Sequence, residues 1–342
     1  MAGDATLPDR FGRPLRDLRI SVMDRCNFRC PYCMPESTYH ENFRFLEPKE
    51  RLNFAEIIRV ARVAADLGVT KLRLTGGEPL LRPNLPDLVA ELVLIPGIED
   101  VALTTNGVLL DRHAETLRAA GLHRMTVSLD SLDPAVFARM SGGRAQLAQV
   151  LTGIEAARAV NFPGGIKINA VVQRDMNDAG VLDLLDYFRN TGIIVRFIEY
   201  MDVGNRNGWQ RDEVVPSREL LAMIDARWPL EALSPAYRGE VARRWRYRDG
   251  AGEIGFISSV SAPFCGDCSR ARLSSEGQLY TCLFATAGTD LRVLLRETSD
   301  DARLREALGR IWRKRDDRYS EDRAAQRAGA ADAKIEMHYI GG

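Results

Sequence analysis

Leu18-Arg19-Ile20-Ser21-Val22-Met23, followed by Asp24-Arg25-Cys26-Asn27-Phe28-Arg29-Cys30-Pro31-Tyr32-Cys33, decides how the chain is read. The segment Leu18 to Met23 alternates apolar and polar side chains, the period-2 pattern of a strand with one face buried. The loop after it carries Cys26, Cys30 and Cys33 as CxxxCxxC, and three thiols this close point to a metal or an iron–sulfur cluster. A [4Fe–4S] cube takes a cysteine on each of four irons, so a three-cysteine loop leaves one iron open to another ligand. A three-thiolate zinc site with a distant fourth ligand and a ferredoxin-like electron-transfer cluster remain alternatives at this point.

Outward from that strand, similar segments recur at Lys71 to Thr75, Val101 to Thr105, Met125 to Asp130, Ile166 to Val172 and Ile194 to Tyr200. Between them, Phe54 to Leu67, Asn84 to Ile95, Asp111 to Ala120, Gln146 to Val160 and Asp178 to Asn190 carry apolar residues at helical spacing. Strand–helix alternation of this kind specifies an α/β fold with a parallel sheet, either a partial (βα)6 TIM-like barrel or an open doubly wound sheet. Strand parity favours the barrel. Arg19 and Ser21, Lys71 and Arg73, Thr104, Thr126 and Ser128, and Lys167 and Asn169 all oppose apolar neighbours, whereas strands covered on both faces read as apolar runs. The polar face then lines a lumen in which Arg19, Lys71, Arg73 and Lys167 converge, with Arg196 on the sixth strand in a less certain direction. Such a cluster suits a polyphosphate; the bland alternative is a set of solvated edge charges.

A second triad, Cys265, Cys268 and Cys282, accounts for the rest of the six cysteines. Nothing is left over for a disulfide framework, so the thiols read as ligands in a reducing cytoplasm. A zinc site completed by histidine is the alternative here, and His338 is the only histidine beyond residue 123. With 47 basic and 47 acidic residues there is no global field to attract nucleic acid or a membrane. The N-terminal MAGDATLPDRFGRPL has charges and prolines where a signal peptide needs an apolar run, and no apolar stretch reaches spanning length.

Thr75-Gly76-Gly77-Glu78-Pro79, Thr104-Thr105-Asn106-Gly107 and Ser128-Leu129-Asp130 end the second, third and fourth strands and would ring one opening. After Met201 come a helix-like Ser217 to Trp228, short strands around Ile254 to Val260, Arg270 to Ser274 and Leu279 to Phe284, and two more helices near Asp290 to Glu297 and Asp301 to Lys314. The hairpin starting Arg270-Ala271-Arg272 is bracketed by the second triad, and this region is expected to cover the open side of the barrel. The organisation expected is thus a barrel over 1–201, an α+β extension carrying a second cluster over 202–314, and a mobile linker with a Gly-Gly tail over 315–342.

CxxxCxxC, followed one βα unit later by GGEP, resembles the radical S-adenosylmethionine superfamily. The ordered set DRCNFRCPYC, RLTGGEPLLR, LTTNG, VSLDSL, KINAVV, RFIEYMDVGN, FCGDCSRARLSSEG and the terminal Gly-Gly resembles those members that open molybdenum cofactor biosynthesis by cyclising GTP. That resemblance implies two [4Fe–4S] clusters, on Cys26, Cys30 and Cys33 and on Cys265, Cys268 and Cys282. It implies S-adenosylmethionine held by Tyr32, Gly76, Gly77, Glu78, Ser128 and Met201. The substrate GTP would contact Arg19, Lys71, Arg73, Thr104, Lys167, Arg196, Arg270 and Arg272, with Arg19, Gly341 and Gly342 serving catalysis. Partners implied are a reductant such as a flavodoxin system and a downstream cyclic pyranopterin monophosphate synthase, and the resemblance allows a homodimer. Gln173-Arg174-Asp175-Met176-Asn177 departs from the family's usual glycine-containing sequence, and the linker is unusually rich in Arg and Ala. A peptide-modifying radical enzyme and a non-catalytic zinc or iron–sulfur module are the competing functions.

Overall fold

In the computed structural model, which describes residues 7–323 and 334–341, the alternation becomes β1 (Asp17–Ser21), β2 (Lys71–Thr75), β3 (Asp100–Thr105), β4 (Arg124–Ser128), β5 (Ile166–Val172) and β6 (Ile194–Glu199). These strands pair in parallel in chain order. The crossovers contain α1 (Phe54–Asp66), α2 (Leu85–Val93), α3 (Leu110–Ala119), α4 (Pro134–Ser141), α5 (Leu147–Ala159) and α6 (Val181–Phe188). Ile20, Leu72, Leu74, Leu103, Val127 and Ile168 leave the outer face of the strands to pack with Val60, Leu88, Leu117, Val150 and Leu184 of the helices. Burying that face orients every polar alternate residue toward the lumen, because adjacent residues of a strand point to opposite sides.

Helix α4 was not expected. Its start was nevertheless written in the sequence: Asp133 caps it by accepting from the backbone N–H groups of Ala135 and Val136, both at 2.8 Å, and Pro134 occupies the first turn.

The region after β6 forms α7 (Ser217–Arg227), β7 (Leu230–Ala232), β8 (Arg243–Tyr247), β9 (Glu253–Ile257), β10 (Arg270–Leu273), β11 (Gln278–Tyr280), β12 (Thr289–Asp290), α8 (Arg292–Glu297) and α9 (Asp301–Arg313). Its strands do not stand apart from the barrel. The twelve-stranded order is β12-β11-β10-β1-β2-β3-β4-β5-β6-β9-β8-β7, so β10 adds in parallel to β1 and β9 adds in parallel to β6. The extension lengthens the barrel sheet at both edges, and the expected divide at residue 201 does not interrupt it.

Residues 315–323, expected to begin a mobile linker, are packed. Arg315 stacks on Trp312 at 4.6 Å, Tyr319 stacks on Phe284 at 4.3 Å, and Arg323 Nε donates to Asp202 Oδ1 at 2.9 Å. Composition misled here because guanidinium groups pack on aromatic faces and carboxylates without needing apolar neighbours. The remainder of that stretch, 324–333, lies outside the described residues. Among the described residues no helix is long and apolar enough to cross a membrane.

Candidate functional site

A cavity of about 380 Å³ lies inside the sheet, lined by Arg19, Lys71, Arg73, Thr104, Lys167, Arg196, Arg270 and Arg272 together with Cys265, Cys268, Cys282 and Met201. All eight expected nucleotide contacts therefore share one space with the second cysteine triad. The register explains how. Across β10, β1 and β2, Arg272, Arg19 and Arg73 are consecutive partners, and the neighbouring level holds Arg270, Asp17 and Lys71. Arg270 and Arg272 come from the far end of the sequence, and the parallel pairing of β10 with β1 is what joins them to the others.

Crowding these cations out of water perturbs them. Burial, then Arg272, Arg270 and Arg73, pushes the Arg19 guanidinium well below its ordinary value. Burial followed by Arg124 lowers Arg73 to about 10, and burial followed by Arg73 lowers Arg196 to about 9. Lys167 is lowered to about 8 by burial, then by Arg196, Arg124 and Arg73. Internal partners relieve only part of this: Arg73 Nη1 donates to Thr104 Oγ1 at 2.9 Å, and Arg196 Nε donates to Asn169 Oδ1 at 2.9 Å. A site with this surplus of like charge gains most from an anion of several charges.

The first triad sits outside that lining, on the loop between β1 and α1. Cys26 Sγ accepts from Phe28 N at 3.3 Å and from Asn106 Nδ2 at 3.8 Å. In the second triad Arg270 Nη2 donates to Cys268 Sγ at 3.3 Å, and Phe284 N donates to Cys282 Sγ at 3.5 Å. All six cysteines are free. N–H donors aimed at sulfur suit thiolates that ligate a cluster, where such bonds tune the potential. Among the described residues no three His, Cys, Asp or Glu side chains converge on the position of a single ion; ligands of a cube instead attach to separate irons.

The two glycines of GGEP serve a tighter purpose than open access for a ligand. A Cβ at Gly76 would fall on the backbone of Met23 and one at Gly77 on that of Arg25, while Gly77 N donates to Met23 O at 2.7 Å and Glu78 N to Arg25 O at 2.8 Å. They clamp the root of the cysteine loop to the end of β2. Both Glu78 carboxylate oxygens are engaged, Oε1 by the Thr105 hydroxyl at 2.7 Å and Leu80 N at 3.0 Å, and Oε2 by Asn106 N at 2.8 Å. Its side chain is thus a brace between the ends of β2 and β3, and burial raises its pKa to about 7. Tyr32 donates to Asp130 Oδ2 at 2.7 Å, and Ser128 ends β4 beside Asn169.

The chain's end returns to this place. Gly341 has φ +69°, and a Cβ there would collide with Thr75 Oγ1; its carbonyl accepts from Arg272 Nη1, as does the Ile340 carbonyl at 3.3 Å. The described contact of the tail is therefore with Arg272 rather than Arg19, and Gly342 lies outside the described residues. Met337 lines the cavity, while His338 packs edge-on against Tyr39 with ring centroids 4.7 Å apart. Arg124 and Tyr237 are among the lining residues that had not been singled out. Arg124, ion-paired with Asp100, shares the parity of Thr126 and could have been found that way. Tyr237, whose ring centre lies 3.4 Å from Lys71 Nζ, had no local pattern to reveal it.

A partial parallel barrel with CxxxCxxC after its first strand and a basic lumen defines the class of radical S-adenosylmethionine proteins. Comparison with known families agrees: residues 20–188 match the Radical SAM superfamily and 193–321 match Molybdenum Cofactor Synthesis C. SuiB of Streptococcus suis, solved with its precursor peptide SuiA, shares the fold at a TM-score of 0.62 and 16% identity, over 90% of this chain and 66% of that one. The GTP 3′,8-cyclase of Xanthomonas axonopodis pv. citri is 55% identical over 99% of both chains, and that of Acidothermus cellulolyticus 52% identical over 98% of both. The chain belongs to the GTP 3′,8-cyclase family.

Proposed function

We propose that this protein converts GTP to (8S)-3′,8-cyclo-7,8-dihydroguanosine 5′-triphosphate, the first step of molybdenum cofactor biosynthesis. The observation that carries the reading is the convergence of the cations from β1, β2, β5, β6 and β10 with the second cysteine triad on one cavity. Cys26, Cys30 and Cys33 would hold one [4Fe–4S] cluster with S-adenosylmethionine beside Tyr32 and Ser128, and Cys265, Cys268 and Cys282 would hold the other beside GTP. When bound, the first cluster and S-adenosylmethionine supply an electron and a cleavable carbon–sulfur bond, which together remove a hydrogen atom from the ribose 3′ carbon. The chain's own part is positional. Lys71, Arg73, Lys167 and Arg196 would hold the triphosphate, and Arg270 and Arg272 would orient the nucleotide near the second triad.

Because the substrate loses a hydrogen atom at carbon 3′ and the cyclised product regains an electron and a proton, the product has the mass of GTP. Anaerobic incubation with GTP, S-adenosylmethionine and a strong reductant should give 5′-deoxyadenosine and an isomer of GTP, separated chromatographically and weighed. Cofactor cleavage without that isomer would overturn the reading. A reductant such as a flavodoxin system and a consuming synthase that rearranges the cyclised nucleotide complete the proposal, in a reducing compartment such as the cytoplasm that keeps the six thiols free.

A further inference from the structure

Beside the second cysteine triad, where Arg315 and Asp317 also reach the lining of the cavity, the N-terminal segment and the residues after α9 build a buried ionic unit that the reaction as described does not use. Arg13 and Asp9 have fully buried side chains, and Arg13 Nε donates to Asp9 Oδ2 at 2.5 Å. Arg315, also buried, approaches the same Asp9 oxygen at 3.5 Å and pairs more closely with Asp317 at 3.1 Å. Each arginine reaches one cysteine of the CxxC step: Arg13 Nη1 donates to the Cys265 carbonyl at 2.9 Å, and Arg315 Nη1 donates to the Cys268 carbonyl at 2.5 Å. Trp312 supports both, donating from Nε1 to the Arg13 carbonyl at 3.0 Å and stacking under Arg315. The remaining Arg13 amine, Nη2, is buried and has no acceptor among the described residues.

Arg13 and Arg315, from opposite ends of the chain, converge on the carbonyls of two cysteines three positions apart, and a buried ion pair is a poor source of stability in itself. We infer that Arg13 and Arg315, held in place by Asp9 and Asp317, are positioning residues for the second cluster: they set the backbone of the Cys265–Cys268 step and hold guanidinium charge beside it. The inference rests on the reading that this triad carries a cluster. Two consequences are separable. The forked hydrogen bonds fix the loop, so losing them loosens the cluster. The charge favours the more reduced, more negative cluster, so losing it moves the potential downward.

The test uses the full-length chain reconstituted anaerobically with iron and sulfide, and a parallel full-length background with Cys26, Cys30 and Cys33 replaced by alanine so that the second cluster alone gives a signal. Arg315→Gln should release iron to a chelator about 10–100-fold faster than its parent and move the midpoint potential of the remaining signal to more negative values. Arg315→Lys keeps the charge and loses the fork, so it should release iron faster yet retain the parent's potential. Arg13→Gln should resemble Arg315→Gln; should it fail to fold, the Arg315 pair and Trp312→Phe, which keeps both guanidiniums and should leave the potential unchanged, still decide the matter. An Arg315→Gln chain with the parent's release rate and potential overturns the inference alone. A parent chain that takes up only one cluster overturns both the inference and the reading beneath it.

Discussion

The two cysteine triads differ in the charge beside them, carboxylates near Cys26 and Cys30 and guanidiniums near Cys268. Around the first, burial and then Glu78 raise Cys26 to about 12, and burial, the neighbouring thiols and Asp130 push Cys30 well above its ordinary value. Around the second, burial acts in the same direction on Cys268, but Arg270 and Arg315 outweigh it and bring the thiol down to about 6. Cys282 stays high at about 12 through burial and then Asp317. The difference matches what each site is proposed to receive: a sulfonium-bearing, cationic cofactor beside carboxylates, and a polyanionic nucleotide beside guanidiniums. One sheet keeps both environments apart because the acidic residues follow the ends of β2 and β4 while the basic ones lie along the strands and on β10.

If the two sites divide initiation from substrate holding, the largest effects should separate them. Cys30→Ala should abolish formation of 5′-deoxyadenosine, whereas Cys268→Ala should retain some uncoupled cofactor cleavage and make no cyclised GTP. Full cyclase activity in the Cys268 variant, read by mass analysis of the nucleotide, would break the division.

The tail tests whether the second site depends on more than its metal ligands. Gly341→Ala introduces a Cβ at a positive φ against Thr75, and with removal of Gly342 it should nearly eliminate cyclisation while iron content and circular dichroism stay at wild-type values. Undiminished turnover would make the tail a bystander.

Charge at the nucleotide end should be selective. Arg73→Ala or Lys167→Ala should weaken GTP binding by roughly 10–100-fold, from loss of about 1.5–3 kcal/mol of charge-assisted hydrogen bonding, and leave S-adenosylmethionine binding nearly unchanged. Equal loss of both ligands in calorimetry would contradict the separation. The pH dependence sharpens this. With its ammonium held down to about 8, Lys167 is protonated below that pH and neutral above it, so GTP affinity should fall between pH 7 and 8.5. Lys167→Met removes the titrating group and should flatten the profile over that range; an unchanged slope would assign it elsewhere.

The smallest effect belongs to the acidic side. Tyr32→Phe removes the hydroxyl that donates to Asp130 Oδ2 and leaves the basic lumen intact, so it should weaken S-adenosylmethionine binding only a few-fold, with GTP affinity untouched. A change in GTP affinity of similar size would mean that the two environments are coupled.

Much of this was open to reading before any coordinates, and the reason is local. Period-2 alternation in β1, β2 and β5 placed Arg19, Arg73 and Lys167 in the lumen, because a strand's side chains alternate whatever the strand pairs with. Each triad is close in sequence, and a loop of a few residues cannot separate its thiols far. Asp133-Pro134 announced α4 just as plainly, and Arg124 carried the parity of its strand. Other features had no local cause. Arg196 acquires a direction only when β6 pairs Asn169 with it, and Arg270 and Arg272 join Arg19 and Arg73 only because β10 adds to the edge of β1. Tyr237 over Lys71, the Arg272 contact with Gly341, and the convergence of Arg13 and Arg315 on Cys265 and Cys268 join chain segments separated by 47 to 252 positions. The sequence by itself determined which side chains could meet a cluster or a phosphate, since that follows from residue type and strand period. Only the tertiary structure decided which of them share a cavity, because strand order at the two edges of a sheet is set by the packing of the whole chain.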